Sequence, residues 1–214
     1  MPDTARPARL WGDREFVKLW AGETVSLFGS HITATAVPLT AAVALNATPA
    51  QMGLLSAAQY APFLLVTLLA GIWVDRRRRR PVLVVSNFAR AVLIGLIPLA
   101  AVFGVLRMEL LIVVVFLAGI FTVFFHLAYL SYLPVLIPPE HLVEGNSKLE
   151  VSSSTASIAG PGLAGFLVQV ASGPIALAVD ALSFVFAGIC MMRIRRPEPA
   201  PAPTTQATPA QLWA

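Results

Sequence analysis

Charge is what this sequence has least of. Of its 214 residues only 12% are charged, while 57% are hydrophobic, and a soluble globular domain carries about 25% charged residues. With a mean hydropathy of +0.77, this composition excludes a soluble domain and points to an all-α, multi-span membrane protein. Cysteine is nearly absent as well. The single one, Cys190, lies in an apolar run, which excludes a disulfide or cysteine-metal framework. No Gly-x-x-x-x-Gly-Lys loop is present to suggest ATP hydrolysis, and no His-Glu-x-x-His zinc motif occurs. Ser152 to Ser154 with distant histidines do not make the nucleophile–base pair of an intramembrane enzyme. The expectation is therefore no enzyme, no metal and no cofactor. No cleavable signal peptide is expected: charges of both signs run through Lys18, and the apolar run after it is too long for a signal h-region.

The charge that is present is concentrated. The stretch from Gly71 to Arg80 ends in five consecutive arginines, Arg76 to Arg80, with apolar sequence on both sides. One Arg at a helix centre already costs roughly 2.5–3.5 kcal/mol on insertion scales. The run must be a short aqueous loop between two spans. Its flanks separate it from a nucleic-acid patch or a localisation signal, so no nucleic-acid partner is expected. Positive residues are held on the cytoplasmic side, and the loop orients every helix around it.

The rest of the chain divides at its polar punctuation. Residues 1–14 read as a cytoplasmic tail, 15–196 as a transmembrane bundle and 197–214 as a Pro/Ala-rich linker. Spans are expected at about 16–45, 51–74, 81–104, 110–137, 149–171 and 175–192, with Pro138 to Lys148 as a polar inside loop. Lys and Arg fall in the tail (Arg6, Arg9, Arg14, Lys18), the inside loops (Arg76 to Arg80, Lys148) and the end (Arg193, Arg195, Arg196), whereas the outside loops hold only Arg107. This asymmetry predicts six spans with both termini cytoplasmic.

Four stretches carry a family resemblance. Gly71-x-x-x-Asp75-Arg76-x-x-Arg79-Arg80 resembles the loop signature between the second and third helices of the major facilitator superfamily, with Arg78 where that motif has a glycine. The departure is similar to the subgroup containing enterobactin exporters and macrolide-efflux proteins. So are Leu133 to Pro138 with Asn146 downstream, Gly160 to Leu167, and Asp180 to Phe184. The family fold has twelve helices in two six-helix halves, and the resemblance implies that this chain supplies the first half, as a truncated or split transporter. It also implies that Asp75 holds a helix of the opposite half at the inside gate, with Arg76 and Arg80 in the same charge network and Gly71 and Arg79 in the same gating loop. Arg77 and Arg78 read as topological. Gly160, Pro161 and Gly165 resemble the family's antiporter motif. Independently of that, Ala156, Gly160 and Ala164 recur every four residues, a spacing that equally serves simple close packing of helices.

Five ionisable residues fall inside spans: Glu23, His31, Arg90, His126 and Asp180. Such residues face a cavity or a partner. Glu23, Ser26, Ser30 and Thr33 form one polar stripe on the first helix. Phe121, Phe125, Tyr129 and Tyr132 align on the fourth, beside Thr122 and His126, either lining a cavity or packing against other helices. The resemblance places both helices on a central cavity. The two histidines either relay protons or hydrogen-bond a neighbouring helix. Glu23 and Arg90 should lie at similar depth and are expected to pair, directly or through a hydroxyl such as Ser26; the competing account has Arg90 snorkelling and Glu23 in a wet cavity.

Two functions follow as expectations. The first is secondary active export of an amphipathic small molecule such as a siderophore or drug, by proton antiport and alternating access. Its partners would be the lipid bilayer, that solute, protons and a second six-helix half. The second is a non-transporting six-helix fragment or assembly partner.

Overall fold

The computed structural model describes residues 10–198; the expected tail up to residue 9, with Arg6 and Arg9, and the linker from 199 onward lie outside the described residues. Six long helices follow one another: α1 Arg14–Ala44, α2 Pro49–Asp75, α3 Arg79–Val102, α4 Met108–Leu136, α5 Leu142–Ala171 and α6 Gly173–Met192. No strand occurs among the described residues. Each helix is long and apolar enough to cross a membrane. At 31 residues α1 is about 46 Å long, more than a ~30 Å hydrocarbon core, so it projects or tilts.

The helix ends are written in local chemistry. The Asp13 carboxylate caps α1, accepting from Glu15 N at 2.9 Å and Phe16 N at 3.5 Å. Thr48 and Gln51 form a capping box on α2, with Pro49 opening the helix. At the end of α3, Gly104 adopts φ +67°, Val105 N returns to Ala100 O and Gly104 N to Ala101 O, a Schellman stop. Between α5 and α6 the strain sits on Ser172, at φ +105°, although Gly173 is beside it. Glycine is needed at 173 for space instead: a Cβ there would collide with the Thr40 hydroxyl.

The expected loop at 138–148 is mostly helix. A short 3-10 turn at Pro139–His141 leads straight into α5, seven residues before the expected span. Hydropathy marks where helix leaves hydrocarbon, not where helix begins. The extra turns are held by Glu144 to Lys148, an i,i+4 ion pair at 3.2 Å, and by Gly145, which lies against Ile137, Leu10 and Phe16.

The packing pattern has an internal symmetry. α1 packs along α6 and α5; α4 packs along α3 and α2; α3 and α6 pack on each other. Exchanging α1 with α4, α2 with α5 and α3 with α6 maps this pattern onto itself. These are two three-helix repeats, inverted because three crossings deliver the second to the opposite side of the membrane. Gly22 and Gly29 bring α1 close to α6: a Cβ at 22 would lie 3.0 Å from Cys190 Cβ, and one at 29 would collide with Asp180 and Ser183. Ala156, Gly160 and Ala164 are buried on α5, and Gly160 packs against His31 of α1. Gly165 departs from that stripe, with nothing within 4 Å of where its Cβ would be.

Two apolar clusters fill the bundle. One, at the arginine-loop end, contains Phe16, Leu19, Leu83, Phe125, Tyr132 and Met191. The other, toward the opposite end, contains Ile32, Val37, Ile94, Ile97, Leu111, Leu177 and Phe184. Between them lies a layer of buried polar side chains: Glu23, Ser26, Ser86, Asn87, Arg90, Asp180 and Ser183. α2 and α5 leave much apolar surface uncovered, including Leu64, Leu65 and Leu68 on one and Val151, Ile158 and Phe166 on the other.

Candidate functional site

The polar layer is organised by Arg90. Its guanidinium lies between two rings, 4.3 Å from the centroids of both Phe125 and Phe184, and Nη2 donates to Asn87 Oδ1 at 2.7 Å. Asn87 in turn donates to Leu83 O at 3.1 Å. Two aromatic faces and one amide thus take up a cation that is only 4% exposed. The expected ion pair with Glu23 is not formed; no Glu23–Arg90 contact occurs within ion-pair distance. The reason is azimuth. α1 and α3 each pack on α6 rather than on each other, so equal depth does not bring the two side chains into direct contact. Snorkelling fails for the same Arg90, which is buried.

Asp180 is fully buried on α6 and accepts from Thr33 Oγ1 at 2.5 Å and Ser183 Oγ at 2.9 Å. Asp180 and Arg90 line one small cavity of about 230 Å³, with Ser30, Thr33 and Thr122. Glu23 belongs elsewhere. It lines a larger cleft of about 890 Å³ between α1, α4 and α5, together with His126, Tyr129, Asn146, Glu150 and Ser154. Its Oε2 is buried and has no hydrogen-bond partner. A carboxylate oxygen buried without a partner costs free energy that a bound cation, proton or donor group would relieve.

The two sequence stripes are therefore divided by the packing. Of the polar stripe, Glu23 lines the large cleft, Ser30 and Thr33 the small cavity, and Ser26 is buried. Of the aromatic stripe, Tyr129 lines the large cleft and stacks on Phe125 at 5.9 Å, while Phe125 and Tyr132 are core. His126 is exposed in the cleft. His31 is not there; it is the side chain against Gly160. Ser152 is occupied in tying α1 to α5, accepting from Trp20 Nε1 at 3.0 Å and Thr24 Oγ1 at 3.1 Å.

The arginine loop also divides. Glu198 reaches across the end of the bundle to the start of α3, accepting from Arg79 N at 2.7 Å and Arg80 N at 3.2 Å, with Arg79 Nη1 at 3.5 Å. A carboxylate on two unsatisfied N–H groups at a helix N-terminus is favourable. Arg80 donates to Met191 O and Met192 O at the end of α6, at 3.2 and 2.5 Å. Arg196 pairs with Asp13 at 2.9 Å and also donates to Leu136 O. Lys18 donates to Glu15 at 2.7 Å and to Arg193 O at 2.8 Å. Residues 193–198 form a clasp over α1, α3, α4 and α6, and all these basic clusters share one end of the bundle. Asp75 is outside this network: it is exposed and makes no ion pair among the described residues. A Cβ at Gly71, one turn earlier, would meet nothing within 4 Å. In this half Arg79 and Arg80 bond to Glu198 and to the end of α6, not to Asp75.

Three residues of this site escape sequence reading: Gly29, Asn87 and Glu198. Gly22 and Gly29 are seven apart on one face of α1, a spacing that could have marked the α6 contact. Asn87, one turn before Arg90, could have been read as its partner. Glu198 carries no local signal.

Inverted three-helix repeats around a polar layer, with a cleft at the level of a buried carboxylate, define half of a bundle of the kind from which secondary transporters are built. The chain belongs to the Major Facilitator Superfamily, whose family model matches residues 19–213. It is 25% identical over 189 residues to macrolide efflux protein A of Streptococcus pyogenes, covering 86% of this chain and 45% of that protein. It is also 25% identical over 178 residues to the uncharacterized MFS-type transporter YfiS of Bacillus subtilis, covering 83% of this chain and 42% of that protein. A protein of the same macrolide-efflux name in Enterococcus faecalis is 24% identical over 139 residues, 65% of this chain and 43% of that protein. The chain spans less than half the length of these relatives.

Proposed function

We propose that this chain forms one six-helix half of a secondary active exporter in the bacterial inner membrane. It moves an amphipathic small molecule, a drug or siderophore, outward by alternating access in exchange for protons. The observation that carries the reading is Glu23: a buried carboxylate with an unpartnered oxygen, lining a cleft of about 890 Å³ that mixes aromatic, hydroxyl and amide groups. Such a group can hold a proton in one state and a cation or donor of the solute in another. The two relatives named for macrolide efflux support the drug-export reading. A second six-helix half covers the apolar faces of α2 and α5. Asp75 and Gly71, open on α2, are where its helix end would seat, since a carboxylate is favoured at a helix N-terminus. Proton-gradient-dependent efflux from vesicles carrying this chain, with and without a second half, tests the proposal. Efflux is expected only with both halves and only while the gradient stands. No gradient-dependent efflux from the pair would leave the reading of a non-transporting assembly partner.

In this reading the basic end of the bundle, and with it both termini, is cytoplasmic; the clustering of basic residues at that end supports it. A cysteine replacing Arg78, in a chain whose Cys190 is replaced by Ser, is expected to react with an impermeant maleimide only in inside-out vesicles. Labelling of intact cells would reverse the topology.

Asp75→Asn keeps shape and removes charge. Alone in this chain it is expected to leave the melting temperature unchanged, because surface charges without partners contribute little. In the complete transporter it should reduce transport about 5–150-fold, the usual range of coupling between sites, with expression unchanged. Parallel loss of folded protein and transport would assign Asp75 a structural role.

A further inference from the structure

α2 and α3 are consecutive, yet both pack on α4 rather than on each other. At the arginine-loop end this leaves a cleft of about 650 Å³ between them. Trp73, Val85, Phe121 and Phe124 line it, and Arg76, Arg77 and Arg78 stand at its mouth. The other two arginines of the run are turned away, Arg79 to Glu198 and Arg80 to the end of α6. Arg76, Arg77 and Arg78 are exposed and pair with no carboxylate among the described residues. Asp75, the one acid of the loop, makes no ion pair either. Arg77 lies over the Trp73 ring at 5.5 Å, and Trp73 makes an edge contact with Phe124 at 5.5 Å. Trp73 sits where the helices leave hydrocarbon, the level that tryptophan favours.

We propose that this cleft binds an anionic phospholipid from the leaflet adjoining the arginine loop, with an acyl chain in the aromatic slot and its phosphate on Arg77 and Arg78. The two halves of the cleft select together. A soluble anion would use the arginine rim and not the slot. A lipid without net charge would use the slot and gain little from the rim. Basic pockets between spans beside an anionic leaflet take lipid headgroups through this combination of charge and depth. The site is independent of what the chain transports. It gives Arg77 and Arg78, otherwise only signals of topology, a ligand.

Native mass spectrometry of the purified full chain, offered phosphatidylglycerol and phosphatidylcholine with matched acyl chains, tests this. Phosphatidylglycerol is expected to be retained at least about tenfold over phosphatidylcholine. The double variant Arg77→Gln/Arg78→Gln should lower its retention about 30-fold, from the worth of each basic residue beside an anionic surface. Both side chains are exposed, so the fold should survive, and circular dichroism checks it. Arg193→Gln/Arg195→Gln removes the same charge at the same end but outside the cleft, and should leave retention unchanged. Val85→Trp fills the slot with the rim intact and should lower retention as well. Equal retention of the two lipids would overturn the proposal. So would retention lost equally in the two arginine pairs, retention unchanged in Arg77→Gln/Arg78→Gln or Val85→Trp, or displacement of phosphatidylglycerol by equimolar glycerol phosphate.

Discussion

Gly29→Val is expected to open the seam between α1 and α6. A Cβ at this position would overlap the Asp180 carboxylate and the Ser183 hydroxyl, with Ser183 Cβ at 2.9 Å. Overpacking a tight contact typically costs about 1–3 kcal/mol. Here the displaced group is a fully buried carboxylate holding Thr33 at 2.5 Å and Ser183 at 2.9 Å. Giving up either hydrogen bond leaves a buried polar group unsatisfied, at about 1–3 kcal/mol more. The combined loss should be about 2–6 kcal/mol, read as a large drop in the melting temperature of the detergent-solubilised chain. The contrast is Gly165→Ala. Nothing lies within 4 Å of a Cβ there, and removing a glycine from a helix interior is worth about 0.5–1 kcal/mol in the stabilising direction. If the two variants melt alike, the seam is not where α1 and α6 are held.

Glu23→Gln is expected to separate folding from transport. The substitution keeps the shape and removes a charge that the protein must otherwise bury. The melting temperature should stay level or rise, because a buried charge without an ion-pair partner destabilises. In the complete transporter, gradient-driven efflux should fall about 10–100-fold, within the range of coupling between two sites. Solute exchange without a gradient should persist, since it needs no proton. Gradient-driven efflux at the wild-type rate would rule out Glu23 as the proton site. A fall in melting temperature matching the fall in efflux would show that its role is structural.

The parts of the site that sequence reading reached are those set by depth and by composition. Glu23, Arg90 and Asp180 stand out because an ionisable residue within a span is costly wherever it points. Which of them meet cannot be read the same way. Arg90 is held by Phe125, Phe184 and Asn87, drawn from three helices, and only the packing of α3 on both α4 and α6 brings them together. A direct Glu23–Arg90 ion pair does not form, because α1 and α3 each pack on α6 rather than on each other. The single aromatic stripe on α4 is likewise shared among a cleft and a core, because different neighbours cover successive turns.

By itself the sequence determined the number of spans, their order and the gathering of basic residues in alternate loops. These are one-dimensional properties: hydropathy along the chain decides what enters hydrocarbon, and alternation follows from crossing it. The tertiary structure alone decided the azimuth of each helix, and so the partition of the polar groups. It puts Glu23 in one cavity and Asp180 with Arg90 in another, and sends Arg79 and Arg80 to the clasp while Arg76 to Arg78 stay free at the cleft. It also recruits Glu198 to the start of α3, well over a hundred residues away along the chain. Contacts of that separation depend on how helices rotate and pack, and nothing in the local pattern of either segment encodes them.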